Sequence, residues 1–145
     1  MTRIEWWIIG GLTALTLGFL SSLVITSSWW FRLNSLTIHD ARVGEIARLT
    51  YDREFFRPFN GHWDVSVWQM DRGEWASYCG ASKNWPYKPS RPAQDKTFDW
   101  LTDDDPRCSR LPVGQYRAEL TLTANPGTII ARSQTITSNV FEVRP

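Results

Sequence analysis

Residues with chemical potential are sparse in this chain, and few of them are spaced for catalysis. Histidine occurs only at His39 and His62. Neither sits in an H-E-x-x-H pattern, and no G-x-S-x-G elbow is present. A triad around His62 would need Ser and Asp partners brought together by the fold, and nothing in the spacing points to them. The chain is therefore read as not an enzyme, with a hydrolase built on an unrecognised site kept as an alternative. Two cysteines are too few for a four-thiolate zinc site, and no glycine loop is built to cradle a phosphate, so neither cofactor nor metal is expected. Asp99 with Asp103, Asp104 and Asp105 forms the one acidic cluster. It lacks the D-x-[DN]-x-[DN]-G spacing of a calcium loop and reads as a solvated turn before Pro106.

Binding chemistry is better represented. Trp85 and Trp100 offer aromatic faces of the kind on which sugar rings stack, against the alternative that each fills a core. Between them, Pro86, Pro89 and Pro92 recur every third residue. That is the period of a polyproline II rod, which would set Tyr87 beside the prolines and give Lys88 and Arg91 a common edge. Trp85, Tyr87, Lys88, Arg91 and Trp100 are thus the candidate partner- or glycan-binding residues. All lie in residues 80–107, expected to be one long ordered loop with its base pinned by a Cys79–Cys108 disulfide. Closing a loop of roughly 30 residues would contribute about 3 to 4 kcal/mol in the chain-entropy model. Two free buried thiols are the alternative.

The elements that must carry these residues divide the chain in two. Residues 6–31 are uncharged, lie between Glu5 and Arg32, and have a tryptophan pair near each end, Trp6 with Trp7 and Trp29 with Trp30. About 20 apolar helical residues cross a bilayer, and tryptophan settles at its interfaces. The reading is one N-terminal transmembrane helix over residues 6–31, after a cytoplasmic tail of residues 1–5. A cleaved signal peptide and a buried core helix are the alternatives. Gly10, Ala14, Gly18, Ser22 and Thr26 recur every fourth residue. On one helix they would form a shallow groove for close packing against a second copy or another protein. The disulfide argues for an oxidising compartment, so the C-terminal domain is expected outside the cytoplasm, periplasmic or at the cell surface. With 16 basic against 15 acidic residues and a net charge of +1, no footprint for nucleic acid appears.

Residues 32–145 change to period-two alternation. Tyr116, Ala118, Leu120 and Leu122 alternate with Gln115, Arg117, Glu119 and Thr121. Asn125-Pro126-Gly127 supplies a turn, and a further strand is expected from Thr128 to Arg132. A last strand runs through Thr135-Ile136-Thr137 to Val140-Phe141-Glu142-Val143. Upstream, Ala47, Leu49 and Tyr51 form one alternating set, and Trp63, Val65 and Val67 another; Leu36 and Ile38 suggest a short opening strand. Several strands joined by turns over this length predict an all-β sandwich. Leu111 to Tyr116 and Ser138 to Val143 resemble the last strands of immunoglobulin-like and fibronectin-III-like domains. That resemblance implies a tyrosine corner at Gly114-Gln115-Tyr116, with Tyr116 bonding back to the backbone. Cys79 and Cys108 depart from the inter-sheet pair of antibody domains, where a cysteine follows the tyrosine by two positions; Ala118 stands there.

The expected fold is therefore a single immunoglobulin-like β-sandwich preceded by one transmembrane helix. The expected role is a membrane-anchored, non-catalytic interaction module, an accessory or assembly subunit of a bacterial or phage-encoded envelope complex. Its partners would be the membrane and a protein, or a second copy, met through the helix. A surface glycan-binding module using the loop tryptophans is the alternative from another class.

Overall fold

From Phe31 onward the alternation of apolar and polar residues turns one face of each strand into a shared core. The structure, a computed structural model, describes residues 3–24, 26–90, 94–102 and 104–145. Helix α1 (Arg3–Val24) leads through a 3-10 turn (Ser27–Trp29) into β1 (Phe31–Ile38), β2 (Ala41–Arg42), β3 (Arg48–Phe55), β4 (Phe59–Asp71), β5 (Glu74–Tyr87) and β6 (Gln94–Thr97). The short helix α2 (Asp99–Thr102) and a second 3-10 turn (Pro106–Ser109) precede β7 (Gly114–Ala124), β8 (Arg132–Thr137) and β9 (Phe141–Arg144). The strands form two sheets, one in the order β1-β3-β6 and one in the order β2-β9-β7-β4-β5, with β8 also paired to β7.

β7 is the centre of the larger sheet. It pairs antiparallel with β4 along one side and with β8 and then β9 along the other. Its inward residues Tyr116, Ala118, Leu120, Leu122 and Ala124 are all buried, as the alternation predicts. They share one core with Phe31, Leu33, Leu36, Ile38 and Leu49 of the smaller sheet. β4 and β5 make a long hairpin whose two-residue turn, Arg72-Gly73, has φ of 50° and 90°. Two positive φ values match the right-handed twist of the strands, and glycine carries the second at little strain. The Tyr116 hydroxyl donates to the Pro112 carbonyl at 2.9 Å, the corner bond expected of it. Cys79 and Cys108 form a disulfide with Cα atoms 5.7 Å apart.

β1 runs along the edge of its sheet, and two side-chain amides cover it. Gln134 accepts from the Leu33 amide at 3.0 Å and donates to the Leu33 carbonyl at 2.9 Å. Asn139 does the same for Ile38, at 2.8 and 2.9 Å. Each amide satisfies one donor and one acceptor, as a neighbouring strand would.

The structure corrects several expectations. Among the described residues, no helix is long and apolar enough to cross a membrane. The transmembrane helix over residues 6–31 is therefore not supported, and neither is the single-pass topology with a cytoplasmic N-terminus and an extracytoplasmic domain. The uncharged run is divided among three elements: α1 ends at Val24, Thr26 is extended, and Phe31 starts β1 with no exposed surface. Trp30 packs against the sandwich core, and Trp29 lies under the Arg57 guanidinium, 3.9 Å from the ring centroid. Both find partners within the domain. The opening strand begins at Phe31, five residues before Leu36, because a bulge between Leu33 and Ser35 resets which face is inward and breaks the alternation in the sequence. Residues 80–107 are not one loop, since β5 continues to Tyr87 and β6, α2 and the second 3-10 turn follow. The strand expected from Thr128 starts at Arg132, and the last strand is split in two at Ser138. At that break the Ala118 amide donates to Ser138 Oγ and the Ser138 amide to the Ala118 carbonyl, so the pairing with β7 is kept.

Replacing both Cys79 and Cys108 with Ser opens a closure spanning 29 residues. The expected loss is about 2 to 4 kcal/mol in unfolding free energy, measured in urea; equal stability of the two forms would mean that the residues around the bridge hold their shape without it.

Candidate functional site

Among the described residues a cavity lies between the sheets, on the side away from the amide-covered β1 edge. Here β5 is an edge strand of the larger sheet and β6 an edge strand of the smaller one. The cavity between them has a volume of about 400 Å³, within the range of about 300 to 1,000 Å³ usual for small-molecule sites. Its floor comes from Leu36, Ile38, Leu49, Val65, Ala118 and Leu120. Alternation along β5 brings Lys83, Trp85 and Tyr87 to its wall, and alternation along β3 brings Tyr51 and Arg53. Trp63, Phe98 and, from β6, Lys96 complete it. Trp85 keeps 55% of its surface exposed, and Lys83 and Lys96 are exposed as well, so these three form the rim.

Aromatic packing sets the position of the wall. Tyr87 lies 4.8 Å from Phe55 and 5.0 Å from Phe59 between ring centroids, and Phe59 in turn stacks on Phe31 at 5.5 Å. Tyr87 occupies this place because position 61, on the neighbouring strand, has no side chain: a Cβ on Gly61 would stand 2.5 Å from the tyrosine ring. Burial pushes the Tyr87 phenol up to about 12, against the opposing pull of the Arg53 charge. Burial likewise raises Tyr51, again with Arg53 opposing. Both are neutral hydroxyls at neutral pH. The Arg53 guanidinium stands over Tyr51 at 5.1 Å and over Phe55 at 4.4 Å, a cation held on two rings.

The expected site residues fare unevenly. Trp85 and Tyr87 share the cavity wall. Lys88 is exposed and does not line it, while Arg91 and the side chain of Trp100 lie outside the described residues. The proline rod is replaced by strand pairing at its start: Pro86 sits in β5 opposite Asn60. An edge strand tolerates proline because the ladder on its open side needs no N–H donor. On α1, a Cβ added at Gly10 or Gly18 would meet nothing within 4 Å. Ala14 is exposed, Ser22's side chain is outside the described residues, and Thr26 lies beyond the helix end, so the five-residue register does not continue to it. His62 Nδ1 bonds Asn84 Oδ1 at 2.9 Å across β4 and β5, with no Ser or Asp in that pair. Arg53, Lys83 and Lys96 are not singled out by sequence, and Tyr51 only as one of an alternating strand set. The Tyr51-x-Arg53 alternation on β3 was their one local signal, and the cavity they line joins strands far apart in the chain.

Asp105 has a structural part. It accepts from Arg107 Nε at 3.0 Å, Nη2 at 2.8 Å and the backbone amide at 3.1 Å, and from the Gly80 amide at 3.4 Å. The Arg107 side chain, with those amides, holds its carboxyl down at about 2. This ties the turn carrying Cys108 to the strand carrying Cys79.

Two consequences are measurable. The stability that Asp105 contributes is complete above its unfolded value of about 3.9 and is lost as the pH falls through about 2. Asp105→Asn should flatten the dependence of unfolding free energy on pH in that window; an unchanged slope would assign the acid sensitivity to other carboxylates. Gly61→Ala should displace the Tyr87 ring, destabilise the fold by about 1 to 3 kcal/mol and lower the pH at which that phenol ionises, followed by tyrosinate absorbance. A variant with wild-type stability and titration would show that the ring has room to move.

No protein-family model matches the chain, and no curated protein matches it. Among solved structures, a Paenibacillus sp. cycloisomaltooligosaccharide glucanotransferase, complexed with cycloisomaltoheptaose, aligns with 77% of this chain at 11% identity and a TM-score of 0.46. The alignment covers 14% of that enzyme, so this chain corresponds to a small part of its length.

Proposed function

We propose that this chain is a non-catalytic binding module, an immunoglobulin-like sandwich that takes a small, largely apolar ligand between its sheets. The observation that carries the reading is the cavity itself: about 400 Å³, floored by aliphatic side chains and walled by Trp63, Trp85 and Tyr87. Apolar concavity with a few convergent polar groups is the usual form of a ligand site. Among the described residues no histidine, carboxylate, serine or cysteine lines it, and the two phenols stay protonated at neutral pH, so those side chains offer no general base. The immunoglobulin-like assignment is supported by strand order. β1, β3 and β6 take the places of strands A, B and E, and β5, β4, β7 and β9 those of C′, C, F and G, with the Tyr116 corner at the start of the F equivalent.

Filling the floor by Val65→Phe should reduce uptake of a neutral apolar dye such as pyrene by roughly tenfold or more, with the far-ultraviolet circular dichroism of the native sheet retained. Undiminished uptake by a folded Val65→Phe protein would remove the cavity as the binding site.

A further inference from the structure

The cavity's polar groups are one-sided in their hydrogen-bonding chemistry. Lys83, Lys96 and Arg53 carry donors and no acceptor, the indole N–H groups of Trp63 and Trp85 only donate, and the two phenols donate as well as accept. Among the described residues no carboxylate or side-chain amide lines it; the side chain of Gln94, two positions before Lys96 on β6, lies outside them. The nearby acids point elsewhere: Asp52 and Glu54 alternate with Tyr51 and Arg53 along β3, and Asp95 accepts from Thr50 Oγ1 at 2.9 Å on the outer face. Lys83 and Lys96 come from the two facing edge strands, and no ion-pair partner is found for either among the described residues.

A wall of donors above an aliphatic floor selects its ligand. A sugar would bring hydroxyls that must donate as well as accept, and among the described lining side chains two phenol oxygens accept; a buried donor left unmatched carries a desolvation penalty. A carboxylate is acceptor-only and fits such a rim. Resting on the reading of the cavity as a binding site, we infer that its ligand is an anionic amphiphile, a chain carboxylate whose apolar tail lies between the sheets and whose head group is held by Lys83 and Lys96. The lysine stems cover the upper apolar wall while their ammonium groups stay at the water boundary.

The test uses the full chain and two probes with the same tail, dodecanoate and dodecanol, titrated calorimetrically below their aggregation limits. A linear glucan oligosaccharide serves as a third probe. Dodecanoate should bind roughly tenfold or more tighter than dodecanol. The double variant Lys83→Gln, Lys96→Gln should bring dodecanoate down to the level of dodecanol, and raised salt should weaken only the carboxylate. Both lysines are exposed, so the variant tests charge with the core intact. Equal affinity of the two probes for the wild type would overturn the anionic head group and leave the cavity reading standing. Binding of none of the three probes, or dodecanoate binding unchanged by Val65→Phe, would overturn the cavity reading itself. Glucan binding without dodecanoate binding would overturn the inferred ligand class.

Discussion

Two side-chain amides along β1 decide how the sandwich is closed. A sheet edge presents unpaired donors and acceptors at every second residue, and water or another strand must satisfy them. Here Gln134 and Asn139 bond both backbone groups of Leu33 and of Ile38. They reach across from β8 and from the β8–β9 junction, so the smaller sheet is fastened to the larger along that side. Net contributions of about 0.5 to 1.5 kcal/mol per bond are ordinary; the geometric effect is larger, because four bonds set the spacing of the two sheets at one margin. The break between β8 and β9 serves the same end. Ser138 replaces a regular ladder step with its hydroxyl and leaves Asn139 free to turn toward β1.

With one margin fastened, the opposite margin is where the sheets part. β5 extends to Tyr87, whereas β6 supplies four residues to the other side. Just past β5, Ser90 bridges to Phe55 at the end of β3. The aromatic group of Phe31, Phe55, Phe59 and Tyr87 fills the space near that bridge. A second group, Phe98, Phe141, Tyr116 and Tyr78, packs together elsewhere in the core. The cavity touches both, at Tyr87 and at Phe98, and is floored by smaller aliphatic side chains. Large rings at two places and smaller residues between them hold the sheets apart without filling the interval.

Charge placement follows from the same alternation. Arg53 points into the interior, where the faces of Tyr51 and Phe55 receive its guanidinium, while its neighbours Asp52 and Glu54 occupy the other face of β3. The acids of the α2 region are used structurally: Asp105 holds Arg107 and the Gly80 amide beside the disulfide, and Asp99 accepts from Thr97. Among the described residues no acid lines the cavity, and its charged groups are the cations Arg53, Lys83 and Lys96.

Sequence alone determined the strand faces wherever alternation ran unbroken. Tyr116 to Leu122 and Trp63 to Val67 take the sides that their spacing predicts, and Cys79 pairs with Cys108 as expected; the bond from the Tyr116 hydroxyl to Pro112 is one that the resemblance, not the spacing, implied. Such features depend on neighbours one or two positions away, or on chemistry that has one plausible partner. The fate of residues 6–31 was not legible in this way. Whether Trp30 and Phe31 belong to a helix or to a sandwich core depends on partners more than twenty residues later, Phe55 and Phe59, and composition carries no record of them. The bulge in β1 concealed its first residues and the shift at Ser138 concealed the break between β8 and β9, because each moves the period by a residue. The cavity was decided only in three dimensions. Lys83, Lys96, Tyr51 and Trp63 come from four strands in two sheets, and hydrophobic packing, which is non-directional and indifferent to sequence separation, is what brings them together.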